Sequence, residues 1–224
     1  MYISVIIPTL NEAAHIAALI DETRRIGDCE IIVVDGGSTD RTGEHTVAAD
    51  RVLVSPPGRA RQQNLGAAAS NGDVLLFLHA DCRLPSGAFD AMRAALIDER
   101  VAGGCFSQHI DGKEIRYRML EWGNAWRVRL FRLAYGDQAI FVRRSVFEKL
   151  GGFPELRLME DVFLMKRLRR AGRLVLLKER LLVSARRWQR HGVIRQTLRN
   201  WTLLTCALCG VSPDRLARYY PNAR

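Results

Sequence analysis

The chain reads as an α/β protein: a doubly wound, mostly parallel sheet flanked by helices, with further helices at its C-terminal end. Three observations predict this. Over residues 1–100, short apolar runs of strand length alternate with longer segments of helical period. The runs are apolar at nearly every position, as strands covered on both faces are. Polar clusters follow several of them, at the strand ends where open parallel sheets bind their ligands.

The elements follow in order. "YISVIIPTL" is a buried strand and "NEAAHIAALIDETRRIG" an amphipathic helix closed by Gly27. "EIIVVDGGSTD" is a second strand running into a polar turn, "DRTGEHTVAAD" a short helix, and "RVLVSPP" a third strand. "GRARQQNLGAAASNG" is a helix of small residues. "DVLLFLHAD" is the fourth strand, carried through to Asp81, and "SGAFDAMRAALIDER" a helix with Ser86 as its cap. The second half is less regular. "VAGGCFSQHI" is a strand, "EIRYRMLEWGNAWRVRLFRL" a basic helix bearing aromatics, and "DQAIFVRRSVFEKLGGF" a strand with a short helix. "MEDVFLMKRLRRAG" is an amphipathic helix, "RLVLLKERLLVSARRW" is strand-like, and "VIRQTLRNWTLLTCALCGV" and "PDRLARYY" are helices. No linker composition separates the halves, so one domain is expected over 1–224.

Bulk properties narrow the function classes. With 224 residues and 48% hydrophobic content the chain can bury one sizeable core. The N-terminal apolar run is too short for a signal peptide, and no stretch reaches the roughly 18 apolar residues of a spanning helix. A cytoplasmic protein is expected. Five cysteines, an odd number, suit reduced thiols. Cys206 and Cys209 form a C-x-x-C inside an apolar segment without a second pair, which favours packing over metal or redox chemistry. The net charge of +10, carried mostly by arginine, suits an anionic partner or surface. No recognition motif with aromatic platforms accompanies it, so a nucleic-acid partner is not expected.

Several residues stand where chemistry is expected. Asp35 ends a strand and is followed by two glycines, which let a backbone approach a ligand closely, while its carboxylate can accept from hydroxyls. Asp40 reads as a turn or helix cap. Arg59 opens a helix, where its charge opposes the macrodipole unless an anion sits nearby. If the fourth strand runs on to Asp81, then His79 and Asp81 flank Ala80 on one face, and Asp81 is a candidate oxygen ligand for Mg²⁺ or Mn²⁺. Glu160 and Asp161 open a helix and diverge by about 100°, so they serve different tasks. Trp122 and Trp126 are four apart and share a helical face. A packed stripe is the favoured reading, with acceptor binding or contact with anionic lipid as alternatives.

In order and spacing, "SVIIPTLNE", "IIVVDGGSTD", "GRARQQNLGAA", "LLFLHAD", "GGF" and "MED" resemble the inverting glycosyltransferases of family 2, which have the GT-A fold. The resemblance spans roughly residues 2–190. Within the family the chain looks most similar to a compact bacterial subgroup associated with radical-SAM/selenodomain or arsenosugar gene clusters. It implies a nucleotide-binding half over 1–100, an acceptor and catalytic half over 101–190 and a C-terminal helical extension over 191–224. It also implies a nucleotide-sugar donor, UDP-sugar favoured, an acceptor hydroxyl, and a divalent cation, Mn²⁺ or Mg²⁺. Pro8, Thr9, Glu12 and Asp35 would lie near the nucleoside and Arg59 near the phosphates, with His79, Ala80 and Asp81 beside them. Asp81 matches the last aspartate of the family's Asp-x-Asp metal motif, and Asp161 the base. Asp137 and Gln138, which precede an apolar strand, either line the acceptor side or form a turn, with Glu160 in a supporting contact.

The chain departs from the family pattern at two places. His79 takes the first aspartate position of the metal motif, leaving Asp81 to carry the cation. Arg187 and Trp188 resemble the tail of the Gln-x-x-Arg-Trp motif of processive members, but Ser184 replaces its glutamine, which speaks against polymer synthesis. Two other classes compete. A nucleotidyltransferase would carry a Gly-rich basic loop after the first strand, where this chain has "PTLNEAAH". A non-catalytic sugar-nucleotide-binding protein would share every donor contact and need no base.

Overall fold

The apolar runs assemble into one eight-stranded sheet, with β1 (Ile3–Thr9), β2 (Glu30–Asp35), β3 (Arg51–Val54), β4 (Val74–Phe77), β5 (Cys82–Arg83), β6 (Val101–Asp111), β7 (Ile140–Arg143) and β8 (Arg173–Ser184). The structure, a computed structural model, describes residues 1–220 apart from the side chains of Arg187 and His191. The spatial order is β3-β2-β1-β4-β7-β6-β8-β5. Strands β3, β2, β1 and β4 are mutually parallel, as is the β6–β8 pair. Strand β7 enters antiparallel between β4 and β6, and β5 pairs antiparallel with β8. The doubly wound first half therefore matches the sequence reading.

Helices cover both faces. On one side, Ile16, Leu19 and Ile20 of α1 (Ile16–Ile26) and Phe89 and Met92 of α3 (Ala88–Ala95) pack with Val5 and Ile7 of β1. On the other, Ala60 and Ala67 of α2 (Arg59–Ala69), Phe147 of α5 (Arg144–Lys149) and Val162 and Met165 of α6 (Glu160–Ala171) pack with Ile6. Neighbouring residues of one strand thus feed opposite cores, which is why β1 is apolar at consecutive positions. Each of the larger side chains, the alanines excepted, contributes roughly 1.5–3 kcal/mol of burial. The remaining helices are α4 (Ile115–Phe131), α7 (Arg186–His191), α8 (Val193–Leu208) and α9 (Pro213–Leu216). Leu203 and Ala207 of α8 and Leu216 of α9 pack against Leu158, Met159 and Phe163, so the C-terminal helices dock beside the start of α6.

Five local expectations are corrected. Strand β4 stops at Phe77, four residues before Asp81. The second helix is only a 3₁₀ turn over Gly43–Thr46, because the Thr46 hydroxyl donates to the Gly43 carbonyl at 2.7 Å and competes with a helical ladder. Ser86 does not cap α3: the N-cap is Gly87, whose φ of 75° is a left-handed turn that glycine takes without steric cost. Trp122 and Trp126 are not a packed stripe but lie exposed, since Tyr117 and Val128 are the residues α4 buries. Cys209 is exposed too, although Cys206 packs against the C-terminal cluster. Among the described residues no helix is long and apolar enough to cross a membrane.

Candidate active site

Two turns at the carboxyl ends of β1 and β2 are laced together. The Asn11 N–H donates to the Ser38 hydroxyl at 2.8 Å, and the Thr39 N–H donates to the Asn11 side-chain oxygen at 2.9 Å. Glu12 N–H donates to the Thr42 hydroxyl at 2.8 Å, and Ala13 N–H to Asp40 at 3.2 Å. Asp40 also accepts from the Thr42 N–H at 3.0 Å and from its hydroxyl, so it fixes a turn as expected. Asp35 accepts from the Ser38 N–H at 3.1 Å and from the Ser38 hydroxyl, and stays half-buried at the strand end. Beneath them Gln62, absent from the sequence reading, donates to the carbonyls of Thr9 and Val34 at 2.8 Å each and ties the two strand ends together. Pro8 and Thr9 are buried within β1, and the Thr9 hydroxyl donates to Val34 rather than opening to a cleft.

The segment after β4 is a tight turn in which the Cys82 N–H donates to the His79 carbonyl at 3.0 Å. The shared strand face inferred for His79 and Asp81 does not apply, because the strand has already ended. His79 and Ala80 are buried, while Asp81 is half-buried, and the Asp81 carbonyl accepts from the Ser184 N–H at 3.0 Å. Gly136 lies against the imidazole: a Cβ there would sit 2.6 Å from His79 Nε2 and 3.4 Å from Asp161 Oδ2. Only glycine fits between these two side chains.

The Glu160-Asp161 pair opens α6 after Met159, whose φ of 64° is strained for a branchless but bulky residue. The two carboxylates diverge as expected. Glu160 turns back into the core and meets the Arg59 guanidinium at 3.3 Å. Asp161 instead accepts the Gly136 N–H at 2.6 Å and the Val162 N–H at 2.7 Å. Burial, followed by the negative charge of Glu160, pushes the Asp161 carboxyl up from 3.8 to about 6, against the pull of the two N–H donors and Arg59. A carboxylate poised there suits proton abstraction near neutral pH.

Arg59, His79, Asp137 and Asp161 line one cavity, together with Asn200 and Leu203 of α8 and Tyr220. The sequence reading named the first four and missed the last three, which lie far along the chain in segments that carry no motif. Other expected residues go elsewhere. Gln138 is fully buried, accepting from Arg127 at 2.6 Å and from the Tyr135 N–H at 3.2 Å. Trp188 packs in the core with its ring 6.4 Å from Tyr117. Arg187 has its backbone in α7, and its side chain falls outside the described residues. Its neighbour Arg186 was not foreseen: it meets both Glu12 oxygens at 3.1 and 3.0 Å and joins α7 to the turn after β1.

A cation cage of three or more acidic, histidine or cysteine side chains is not found among the described residues. A cation shared with phosphates needs only one or two protein carboxylates, the rest of its shell being phosphate oxygens and water. The half-buried Asp81 does not itself line this cavity but follows His79, which does, by two residues in the same tight turn, and it can supply one such carboxylate.

An open α/β sheet with a buried carboxylate, an arginine and an acidic turn gathered at its strand ends belongs to the class of α/β folds that bind their ligands there. Residues 4–151 match Glycosyl transferase family 2, and the chain belongs to that family. A PGL/p-HBAD biosynthesis glycosyltransferase of Mycobacterium tuberculosis is 33% identical over 162 residues, covering 67% of this chain and 62% of the relative. The probable glycosyltransferase YdaM of Bacillus subtilis is 30% identical over 199 residues, covering 76% of this chain and 47% of its own length. This chain thus spans less than two thirds of either relative. Among solved structures, the mannosyltransferase PcManGT of Pyrobaculum calidifontis, in complex with GDP-Man and Mn²⁺, superposes with a TM-score of 0.66 at 21% identity, over 80% of this chain and 56% of that one. Glucosyl-3-phosphoglycerate synthase of M. tuberculosis, with Mn²⁺, UDP and glucosyl-3-phosphoglycerate, gives 0.57 at 24% identity, over 80% and 70%. These likenesses show the GT-A fold.

Proposed function

We propose that the protein is an inverting glycosyltransferase that moves a sugar from a nucleoside-diphosphate donor, with a UDP-sugar favoured, to an acceptor hydroxyl. The observation that carries this reading is Asp161: a carboxylate on a cavity wall, held by the Gly136 N–H at 2.6 Å and raised to about 6. Ionised at neutral pH, it takes the proton of the acceptor hydroxyl as that oxygen attacks the anomeric carbon. A single attack from the face opposite the departing diphosphate inverts the configuration. Gly136 and Val162 hold the carboxylate in one orientation, and Arg59, anchored by Glu160, turns positive charge towards the side where the diphosphate departs. Asp81 would hold a Mn²⁺ or Mg²⁺ ion that neutralises charge on the leaving group. Asn200, Leu203 and Tyr220 form a mixed polar and apolar wall for the acceptor.

The finer likeness to the bacterial subgroup linked with radical-SAM/selenodomain or arsenosugar gene clusters is part of the proposal and rests on the ordered motif set. The test is calorimetric titration of UDP and GDP, with and without Mn²⁺, into the protein and its Asp81→Ala variant, followed by transfer assays on Asp161→Asn. Metal-dependent binding of one nucleotide, lost in the first variant, and transfer lost in the second are the expected results. Nucleotide binding with undiminished biological activity in Asp161→Asn favours a non-catalytic binding protein. Pyrophosphate release from a nucleoside triphosphate favours a nucleotidyltransferase.

A further inference from the structure

Two helices turn rows of apolar side chains to solvent. On α4, Ile115, Met119, Trp122, Trp126 and Leu130 recur at helical spacing and occupy one narrow face. That face is open, with Met119 69%, Trp122 67% and Leu130 63% exposed. On α8, Ile194, Leu198, Trp201 and Leu208 repeat the pattern, with Ile194 74% and Trp201 60% exposed. The same helix turns Val193, Gln196, Leu203 and Ala207 inward, so its outer row is not needed for packing. Rows of this length are not ordinary protein surface.

Charge identifies the partner. Between Glu179 and Asp214 the chain has no carboxylate, yet Arg180, Arg187, Arg190, Arg195 and Arg199 lie in that interval beside Arg186, whose charge is met by Glu12. Arg190 and Arg195 are exposed near the α8 row, and Arg129 and Arg132 near the α4 row. Two-fold self-association through either face would set arginine-bearing faces against each other, which costs binding free energy. An anionic surface has the opposite sign and a wet, apolar boundary where tryptophan is favoured.

We propose that the outer faces of α4 and α8 dock on an anionic lipid bilayer, with Trp122, Trp126 and Trp201 entering the headgroup boundary and the flanking arginines resting over the phosphates. This goes beyond sugar transfer and does not depend on it. The test is co-sedimentation of the whole chain with phosphatidylcholine vesicles, with and without about 30% phosphatidylglycerol. The variants are Trp122→Ser/Trp201→Ser and Arg190→Glu/Arg195→Glu, with circular dichroism to verify folding and light scattering to give the oligomeric state. Binding to the anionic vesicles with a blue-shifted tryptophan emission, about tenfold weaker in either double variant, is the expected result. Equal binding to neutral vesicles, or a monomer that binds neither, overturns the proposal. So does a dimer that the tryptophan variant converts to monomer, which would assign these faces to a second copy. None of these readouts requires a donor or transfer activity, so failure here leaves the proposed reaction standing.

Discussion

The turn after β2 and the start of α6 each present an aspartate near the strand ends, and they handle its charge in opposite ways. Asp35 is half-buried and meets the hydroxyl and N–H of Ser38, three residues away in the same turn. Asp161 is buried, is held by an N–H from a segment 25 residues away, and lies beside the charge of Glu160. A satisfied, water-accessible carboxylate suits recognition of a polar ligand. A dry carboxylate with a negative neighbour is costly to ionise and therefore basic. On the proposed function, the difference assigns Asp35 to donor binding and Asp161 to proton transfer.

The largest effect that would break this comparison is expected from Asp161→Asn. Transfer should fall about 10³-fold, within the range for losing a general base. Stability should move the other way. Because the native carboxyl titrates near 6 rather than 3.8, the folded state binds more protons between those values, so ionisation destabilises the fold as pH rises through that window. The amide removes that cost but sets its NH2 against one of the two N–H donors that Asp161 accepts from. The gain in a denaturant midpoint at pH 7 should therefore stay below about 1 kcal/mol, while the slope of stability against pH in that window flattens. Near-normal transfer by this variant would remove Asp161 from the base role.

Gly136→Ala comes next. Its methyl would meet His79 Nε2 at 2.6 Å and displace either the imidazole or the backbone N–H that holds Asp161. A loss of about 10- to 100-fold in kcat is expected, larger than any change in donor affinity. Wild-type kcat would mean that the contact between these segments is incidental.

Glu160→Gln sharpens the electrostatic side. Removing its charge should shift the acidic limb of the kcat/KM profile to lower pH, since that charge helps to raise Asp161. It also replaces the charged contact to Arg59 at 3.3 Å by a neutral one, for a stability loss of about 1 kcal/mol. An acidic limb that stays in place would show that burial alone sets the basicity of Asp161.

The smallest effect is expected at the other turn. Asp35→Asn should raise the donor KM about tenfold with kcat nearly unchanged, the signature of lost uniform binding. A fall in kcat instead would make the two aspartates functionally alike.

Legibility differed between the regions for the same reason that their chemistry does. Asp35 and its turn form a local unit: strand, glycines, serine and carboxylate lie within a few residues, and short-range rules recover them. At Glu160 and Asp161 the sequence yielded the divergence of the two side chains, which follows from helix geometry alone. It did not yield Arg59 as the partner of one and Gly136 as the donor to the other, because those contacts span 101 and 25 residues. The four-residue spacing of Trp122 and Trp126 correctly put them on one face, but periodicity carries no information about whether that face is covered.

The sequence by itself therefore determined the alternation of strands and helices, the two-sided burial of β1, β2 and β4 (though not of the edge strand β3, whose Val52 and Val54 are exposed), the family resemblance and the polar clusters at the strand ends. Each is written in residue order and decided by backbone geometry and local hydrophobic pattern. Only the tertiary structure decided which carboxylate is dry, that β4 ends before His79, that Arg186 clasps Glu12, and that Asn200, Leu203 and Tyr220 wall the cavity. Those outcomes depend on desolvation and on contacts between distant segments, and both exist only once the sheet has brought its strand ends together.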